Sequence, residues 1–263
     1  MRPASPFDVL QKVWIALLLT WAAGFVDLVG YITLYQIYVA HMSGNTVALA
    51  RHLSRMQWAG CARRGWPILT FIFGLLLGVV VADAEERKIL RAPFPAIIML
   101  ELLLIGIFLW QGSGHNFMPV IPRQPAGKFF LMVALLTVAM GMQNVAVRKV
   151  GGLNAYTTFV TGSLVKFAES FSAYLFWLRE RVLRRKSRRR LRRVLAASLR
   201  QPSLRRAGLT FSLWLVYLAG GVAGAVLTDR INLLSLTLPM GVLALVTIYG
   251  SLRPLEYAAG EEW

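Results

Sequence analysis

The chain has one cysteine, three histidines and only 12 acidic residues among 263. A lone Cys61 makes no internal disulfide, and no CxxC pair or Cys/His cluster has the spacing of a metal site. No HExxH, GxSxG, Walker loop or strand-to-helix GxGxxG appears. With so few histidines and thiols, most nucleophile–base schemes lack parts. Intramembrane aspartyl chemistry with Asp27 and Glu101 has little to recommend it, so neither an enzyme nor a cofactor is expected. Charge is also scarce. Asp, Glu, Lys and Arg make up 16% of the chain, against about 25% in a soluble domain. Hydrophobic residues make up 57% and the mean hydropathy is +0.57, too apolar for a protein dissolved in water.

The charge that is present has one sign. There are 29 Lys and Arg against 12 Asp and Glu, a net +17. Residues 179–206 hold thirteen of those cations and one Glu, a local +12 that leaves +5 for the rest of the chain. Apolar spans in a bilayer with the cations gathered in one loop reconcile the two facts. The first apolar run, Val13 to Tyr35, is too long for a signal-peptide core, has no small-x-small cleavage site after it and contains Asp27; it reads as a retained span. A spanning helix needs about 20 apolar residues, and six segments approach this: 13–35, 66–82, 95–112, 129–147, 208–228 and 233–252. Trp66, Trp110 and Trp177 sit near segment ends, where indoles favour the interface. Two further apolar stretches are interrupted by polar residues. One is 36–58, broken by His41-Met42-Ser43-Gly44-Asn45-Thr46 and Arg51; the other is 154–178, with Thr157, Thr158, Thr161-Gly162-Ser163, Lys166 and Glu169.

The interrupted stretches are related to one another. Ala22–Asp27 aligns with Ala139–Asn144 at an offset of 117, and Tyr38…Met42-Ser43-Gly44-Asn45…Val47 aligns with Tyr156…Val160-Thr161-Gly162-Ser163…Val165 at 118. Gly74-x3-Gly78-x4-Asp83 aligns with Gly220-x3-Gly224-x4-Asp229 at 146. The jump between offsets is about the length of the basic segment. The expected fold is therefore an all-α, polytopic transmembrane bundle of about six spans in two pseudo-repeats. Each repeat would have a broken or partly inserted helix at its Ser/Thr-Gly motif. The first repeat would occupy 1–120 and the second 121–263, with 179–206 as a basic cytoplasmic insert.

Three crossings per repeat would invert the copies; four would leave them parallel. Arginine counting puts 179–206 in the cytoplasm but does not choose. Six crossings place Arg87, Lys88 and Arg91 inside and Arg51, Arg55, Arg63 and Arg64 outside, and eight reverse both groups. Six is the favoured number.

Gly24-Phe25-Val26-Asp27, His41-Met42-Ser43-Gly44-Asn45-Thr46, Gly141-Met142-Gln143-Asn144 and Thr157-Thr158-Phe159-Val160-Thr161-Gly162 resemble, in order, the motifs of the YoaK family of bacterial membrane proteins, a domain of unknown function. The resemblance covers nearly the whole chain. Ser43 departs from the family's usual threonine, and the Arg-rich run 184–193 is longer than the family pattern. The resemblance implies a multi-pass bacterial inner-membrane protein and brings no substrate or reaction.

Asp27 lies mid-span, and a charge at the bilayer centre costs roughly 2.5–3.5 kcal/mol on insertion scales, so it faces the bundle interior. It is a candidate proton or cation carboxylate, or else a buried acceptor for a broken helix. Asn144 occupies its place in the second copy. Glu101, inside 95–112, is a second intramembrane acid whose apolar surroundings favour the neutral form. It suits a proton site, an interhelical hydrogen bond or an interfacial position. Ser43-Gly44-Asn45-Thr46 and Thr161-Gly162-Ser163 read as helix starts with a capping hydroxyl, whose N–H donors could hold a polar ligand at the midplane or be satisfied by Asp27 and Asn144. The candidate substrate or ion site is thus Asp27, Ser43, Gly44, Asn45, Glu101, Gln143, Asn144, Thr158, Thr161 and Gly162, with no metal. His41 reads as a relay or, more commonly, a hydrogen-bonded neighbour. Lys166 and Glu169 could pair at i and i+3. The Gly-x3-Gly runs read as close-packing faces.

The run Arg184, Arg185, Lys186, Arg188, Arg189, Arg190, Arg192 and Arg193, with Leu183, Leu191, Val194, Leu195 and Leu199 near one helical face, reads as a basic amphipathic helix on anionic membrane lipid. Nucleic acid is disfavoured, because no aromatic is interleaved for stacking. Two functions stand: a small-molecule or ion transporter or exporter with a polar midplane site, and a non-transporting scaffold or lipid-binding protein. Oligomeric state is not readable.

Overall fold

The computed structural model describes residues 6–84, 93–113, 127–151, 160–183, 198–199 and 201–252. Among these the chain is all helical: α1 Pro6–Thr33, α2 Met42–Leu53, α3 Trp58–Asp83, α4 Pro93–Ser113, α5 Gly127–Gly151, α6 Val160–Leu183, α7 Pro202–Ile231, a 3-10 turn Asn232–Leu236, and α8 Thr237–Leu252. Five helical stretches are long and apolar enough to cross a membrane: 10–33, 58–83, 93–112, 127–147 and 202–252. The last contains two of the six expected segments, joined through the 3-10 turn. All six expected segments fall on helices. The basic run 184–193 and Thr158 lie outside the described residues.

The chain forms two compact units, one of residues 1–158 and 217–263, the other of 159–216. In the first, contacts fix the helix directions. Tyr35, just past α1, meets Phe129 at the start of α5, while Leu19 meets Gln143 near the other end; α1 and α5 therefore run in opposite directions. Trp66 donates to the Phe130 carbonyl (2.8 Å), Thr70 bonds Thr137 (2.6 Å) and Gly78 lies on Met142 and Val145, so α3 and α5 run parallel. Phe94 meets Gly250, Met240 meets Gly106 and Leu233 meets Gly112, which makes α4 and α8 antiparallel.

Two helix pairs approach backbone to backbone through glycine. Gly24 lies against the Tyr217 carbonyl, Gly220 against the Trp21 carbonyl and Gly224 against the Phe25 backbone, pairing α1 with α7. Gly141 lies against the Phe71 carbonyl, Gly74 against the Val138 carbonyl and Gly78 against the Met142 backbone, pairing α5 with α3. A Cβ at most of these positions would meet backbone atoms, which is why glycine occupies them. The core between the pairs is apolar, with Leu19, Phe25, Ile97, Ile98, Ile105, Phe108 and Leu136 wholly buried.

In the second unit α6 is one continuous 24-residue helix from Val160, so Thr161-Gly162-Ser163 fall in its first turn, as expected of a helix start; residues 154–159 of the interrupted stretch lie outside the described residues. Lys166 and Glu169 do not break it, since both are good helix formers. Phe167 stacks on Phe171 (5.5 Å) and meets Phe211, and Arg181 lies over the Trp177 ring (4.9 Å).

Candidate functional site

After α1 the chain reverses sharply. Tyr35 and Gln36 both adopt left-handed backbone conformations (φ 56° and 59°), each costing an L-residue roughly 1–2 kcal/mol. The reversal is held from outside. Arg64 of α3 donates to the Gln36 carbonyl (2.6 Å) and the Tyr35 carbonyl (3.5 Å), and the Tyr35 ring packs on Phe129 (5.6 Å).

The chain then runs back alongside α1. Tyr38 meets Tyr31 (4.9 Å between rings), Val39 presses on Gly30, and Ala40 and His41 reach Asp27. Asp27 is six residues before the end of α1, so His41 lies about 9 Å below that end. From there α2 climbs out again. Its 12 residues span about 18 Å, short of a ~30 Å hydrocarbon core, and the turn after it seats His52 against Gly60 of α3. Residues 34–53 therefore form a loop that enters and leaves on the same end of the bundle.

Asp27 holds the tip of this loop. Its Oδ1 accepts the Ala40 N–H (2.7 Å), and its Oδ2 contacts His41 Nδ1 (2.7 Å) and accepts the Tyr217 hydroxyl (2.8 Å). Tyr217 Oη is also 3.0 Å from His41 Nδ1. With Nδ1 protonated, both His41 and Tyr217 donate to the same carboxylate oxygen, so the three groups form one closed network. The Asp27 side chain is 7% exposed and that of His41 24%. The imidazole thus links a buried acid to an accessible surface.

Asn45 secures the other side of the tip. Its Nδ2 donates to the Tyr38 carbonyl (2.6 Å) and its Oδ1 accepts the Tyr38 N–H (3.3 Å). Gly44 beside it makes room for the Tyr38 ring. Ser43 is exposed and caps nothing, because the cap position of α2 is His41 and carries no side-chain cap bond. The hydroxyls expected to cap instead bond back within their own helices, Thr46 to the Met42 carbonyl and Ser163 to the Val160 carbonyl. The cap expectation is corrected for α2 on that ground; the residue before α6 lies outside the described residues. The competing role, Asp27 as an acceptor for the broken segment, is met one residue before the cap.

The remaining expected residues do not join this network. Glu101 is wholly buried on α4. Gln143 on α5 is also wholly buried and donates to the Leu19 carbonyl (3.4 Å), and Asn144 donates to the Met140 carbonyl of its own helix (2.9 Å). Thr161 and Gly162 lie at the start of α6 in the other unit. Sequence reasoning missed Tyr217 and Arg64. A signal for Tyr217 existed: it precedes Gly220 by three residues as Phe71 precedes Gly74. Among the described residues no group of three or more His, Cys, Asp or Glu could hold a metal.

Long apolar helices packed through glycine, with a polar loop folded back among them, define a polytopic α-helical membrane protein. The chain belongs to the family described as "Protein of unknown function (DUF1275)", whose profile matches residues 15–249. It is 26% identical over 164 residues to UPF0700 transmembrane protein YoaK of Bacillus subtilis, covering 62% of this chain and 69% of that protein. It is also 26% identical over 151 residues to a "Probable cell division topological determinant MinJ" of Lacticaseibacillus paracasei, covering 49% of this chain and 39% of MinJ. No solved structure matches it significantly.

Proposed function

We propose that the protein is a secondary transporter or exporter of a small polar molecule in the bacterial inner membrane. Its site is the tip of the re-entrant loop, where Asp27, His41, Asn45 and Tyr217 converge. The observation that carries this reading is the loop itself. Irregular backbone at membrane depth is tolerated where it is buried in protein or lines a polar cavity, and transporters place their binding sites at such breaks. A packing loop could be closed by apolar side chains, whereas this one is closed by a carboxylate, an imidazole and a phenol, one of them reaching the surface.

Two further features support the reading. Helices α1 and α5, matched in sequence at an offset of 117, run in opposite directions. The glycine contacts of α1 on α7 also recur as those of α5 on α3 at the same offsets, 117 for α1/α5 and 146 for α3/α7. We read this as an inverted duplication of a three-span unit, α1 to α4 and α5 to α8, giving six crossings. On this reading the basic loop 179–206 is cytoplasmic by charge, and six crossings put Arg87, Lys88 and Arg91 on the same side.

The test is a thermal-shift screen of purified wild type and Asp27→Asn against metabolites and ions at two pH values. A compound that stabilises the wild type and not the variant, and that then moves across proteoliposomes, supports transport. Two folded proteins silent across a broad library would reject it. The second reading, a non-transporting scaffold or lipid-binding protein, draws on the likeness to MinJ and on the basic run 184–193. It requires membrane or partner association that falls when those arginines become glutamine.

A further inference from the structure

Away from the loop, three wholly buried oxygen atoms have no hydrogen-bond partner among the described residues: both carboxyl oxygens of Glu101 and the amide oxygen of Gln143. Helix register brings the two residues to one level. Gly112 of α4 lies beside the Met132 side chain of α5. Glu101 is eleven residues before Gly112 and Gln143 eleven residues after Met132. Eleven residues are three turns, within about 20° of the same face, and α4 and α5 are antiparallel, since α4 ends where α5 begins. Glu101 and Gln143 therefore stand across from each other in the α4–α5 interface.

The orientation of the Gln143 amide follows from its other neighbour. Its NH2 meets the Leu19 carbonyl of α1, and an oxygen placed there would oppose another oxygen. The amide oxygen is thus turned away from α1 and needs a donor. Glu101 ionised offers none. It would also be a buried carboxylate with neither oxygen bonded, which is among the costliest arrangements in a protein interior. The charged and titratable groups on the elements packed against α4 are Lys128, Arg148 and Lys149 on α5, Cys61, Arg63, Arg64 and Asp83 on α3, and Tyr249 on α8. By register each lies at least about four residues, more than one helical turn, along its helix from this level, and neither Glu101 oxygen has a partner among the described residues. One proton resolves the conflict: a carboxyl O–H on Glu101 donating to Gln143 Oε1 satisfies two of the three orphan atoms.

We infer that Glu101 and Gln143 form a buried proton-binding site, with Glu101 as the carrier and Gln143 as its acceptor and its link to α1. Its role as the coupling site of a proton-linked transporter rests on the reading above; its existence does not.

Infrared difference spectroscopy of the purified full chain, in H2O and D2O, tests it. Wild type should show a protonated-carboxyl C=O band that shifts on deuteration and is absent in Glu101→Gln but retained in Asp27→Asn. Gln143→Leu, which removes the acceptor, should move that band to higher frequency. A band that persists in folded Glu101→Gln overturns the assignment, and one unmoved by Gln143→Leu overturns the pairing. Should Glu101→Gln not fold, Gln143→Leu alone decides. Failure to find a transported compound would sink the transport reading and leave this band in place.

Discussion

The two glycine-packed helix pairs make the most instructive comparison in the molecule. On one side α1 meets α7 through Gly24, Gly220 and Gly224; on the other α5 meets α3 through Gly141, Gly74 and Gly78. The backbone contacts correspond one for one, yet the chemistry does not. Where the first pair carries Asp27 and Tyr217, the matched positions of the second are Asn144 and Phe71, and the position matched to His41 is Phe159. All three ionisable members of the network are replaced by groups that carry no charge. The second pair instead joins through a Thr70–Thr137 bond at 2.6 Å, which is neutral and local. Close backbone packing is thus separable from the acid network, and only one interface has both.

The comparison breaks most sharply at the glycines. Gly220→Val and Gly74→Val each force a side chain onto a carbonyl of the facing helix, where backbone cannot give way as a side-chain tip can. Each is expected to lose about 3 kcal/mol or more and to abolish a monodisperse peak in detergent size exclusion. If Gly74→Val behaves as wild type while Gly220→Val does not, the two pairs are not equivalent packings.

Tyr217→Phe makes the first interface resemble the second. It removes one bond to a buried carboxylate and leaves the ring in place. A loss of about 1.5–3 kcal/mol is expected, read as a lower melting temperature. Phe71→Tyr should bring no matching gain, because Asn144 already donates to Met140 and offers no carboxylate. A fully stable Tyr217→Phe would mean that Asp27 is held by Ala40 and His41 alone.

Much of this was legible in the sequence, for physical reasons that differ between elements. The six apolar segments were readable because lipid demands long unbroken runs, and the glycine spacing was readable because close approach tolerates little else. Asp27 and Glu101 stood out as acids in apolar runs. The loop path was harder. Residues 36–58 are broken by polar residues in any arrangement, and only the contacts of Tyr38, Val39 and His41 with α1 reveal that the chain folds back. Ser43 was misread as a cap because capping propensity is a local signal, whereas the N-terminus of α2 is placed by Asp27, fourteen residues before His41. Tyr217 was hidden by distance, 190 residues from the carboxylate that it serves.

The direction of the chain can be tested independently of stability. A cysteine replacing Lys88 in a Cys61→Ser background reports which side of the membrane holds the α3–α4 connection. Six crossings with the basic loop inside predict protection from an impermeant thiol reagent in intact cells and labelling after permeabilisation. Labelling in intact cells would put the α3–α4 connection outside and reject six crossings with the basic loop inside.

The smallest expected effect sharpens the account of the loop. Gln36 holds φ 59°, a conformation that glycine adopts without the roughly 1–2 kcal/mol penalty of an L-residue. Glycine also gains freedom in the unfolded chain, which offsets roughly half or more of that relief. Gln36→Gly should therefore stabilise the protein by at most about 1 kcal/mol. The Arg64 bond goes to the backbone carbonyl of Gln36, so the substitution leaves it intact. Arg64→Ala removes that bond and is expected to lower the melting temperature, with Gln36→Gly recovering part of the loss, because a relaxed reversal no longer needs an external clamp. If the double variant is no more stable than Arg64→Ala, the guanidinium does not serve to hold the strained turn, and the loop depends on Asp27 and Asn45 alone.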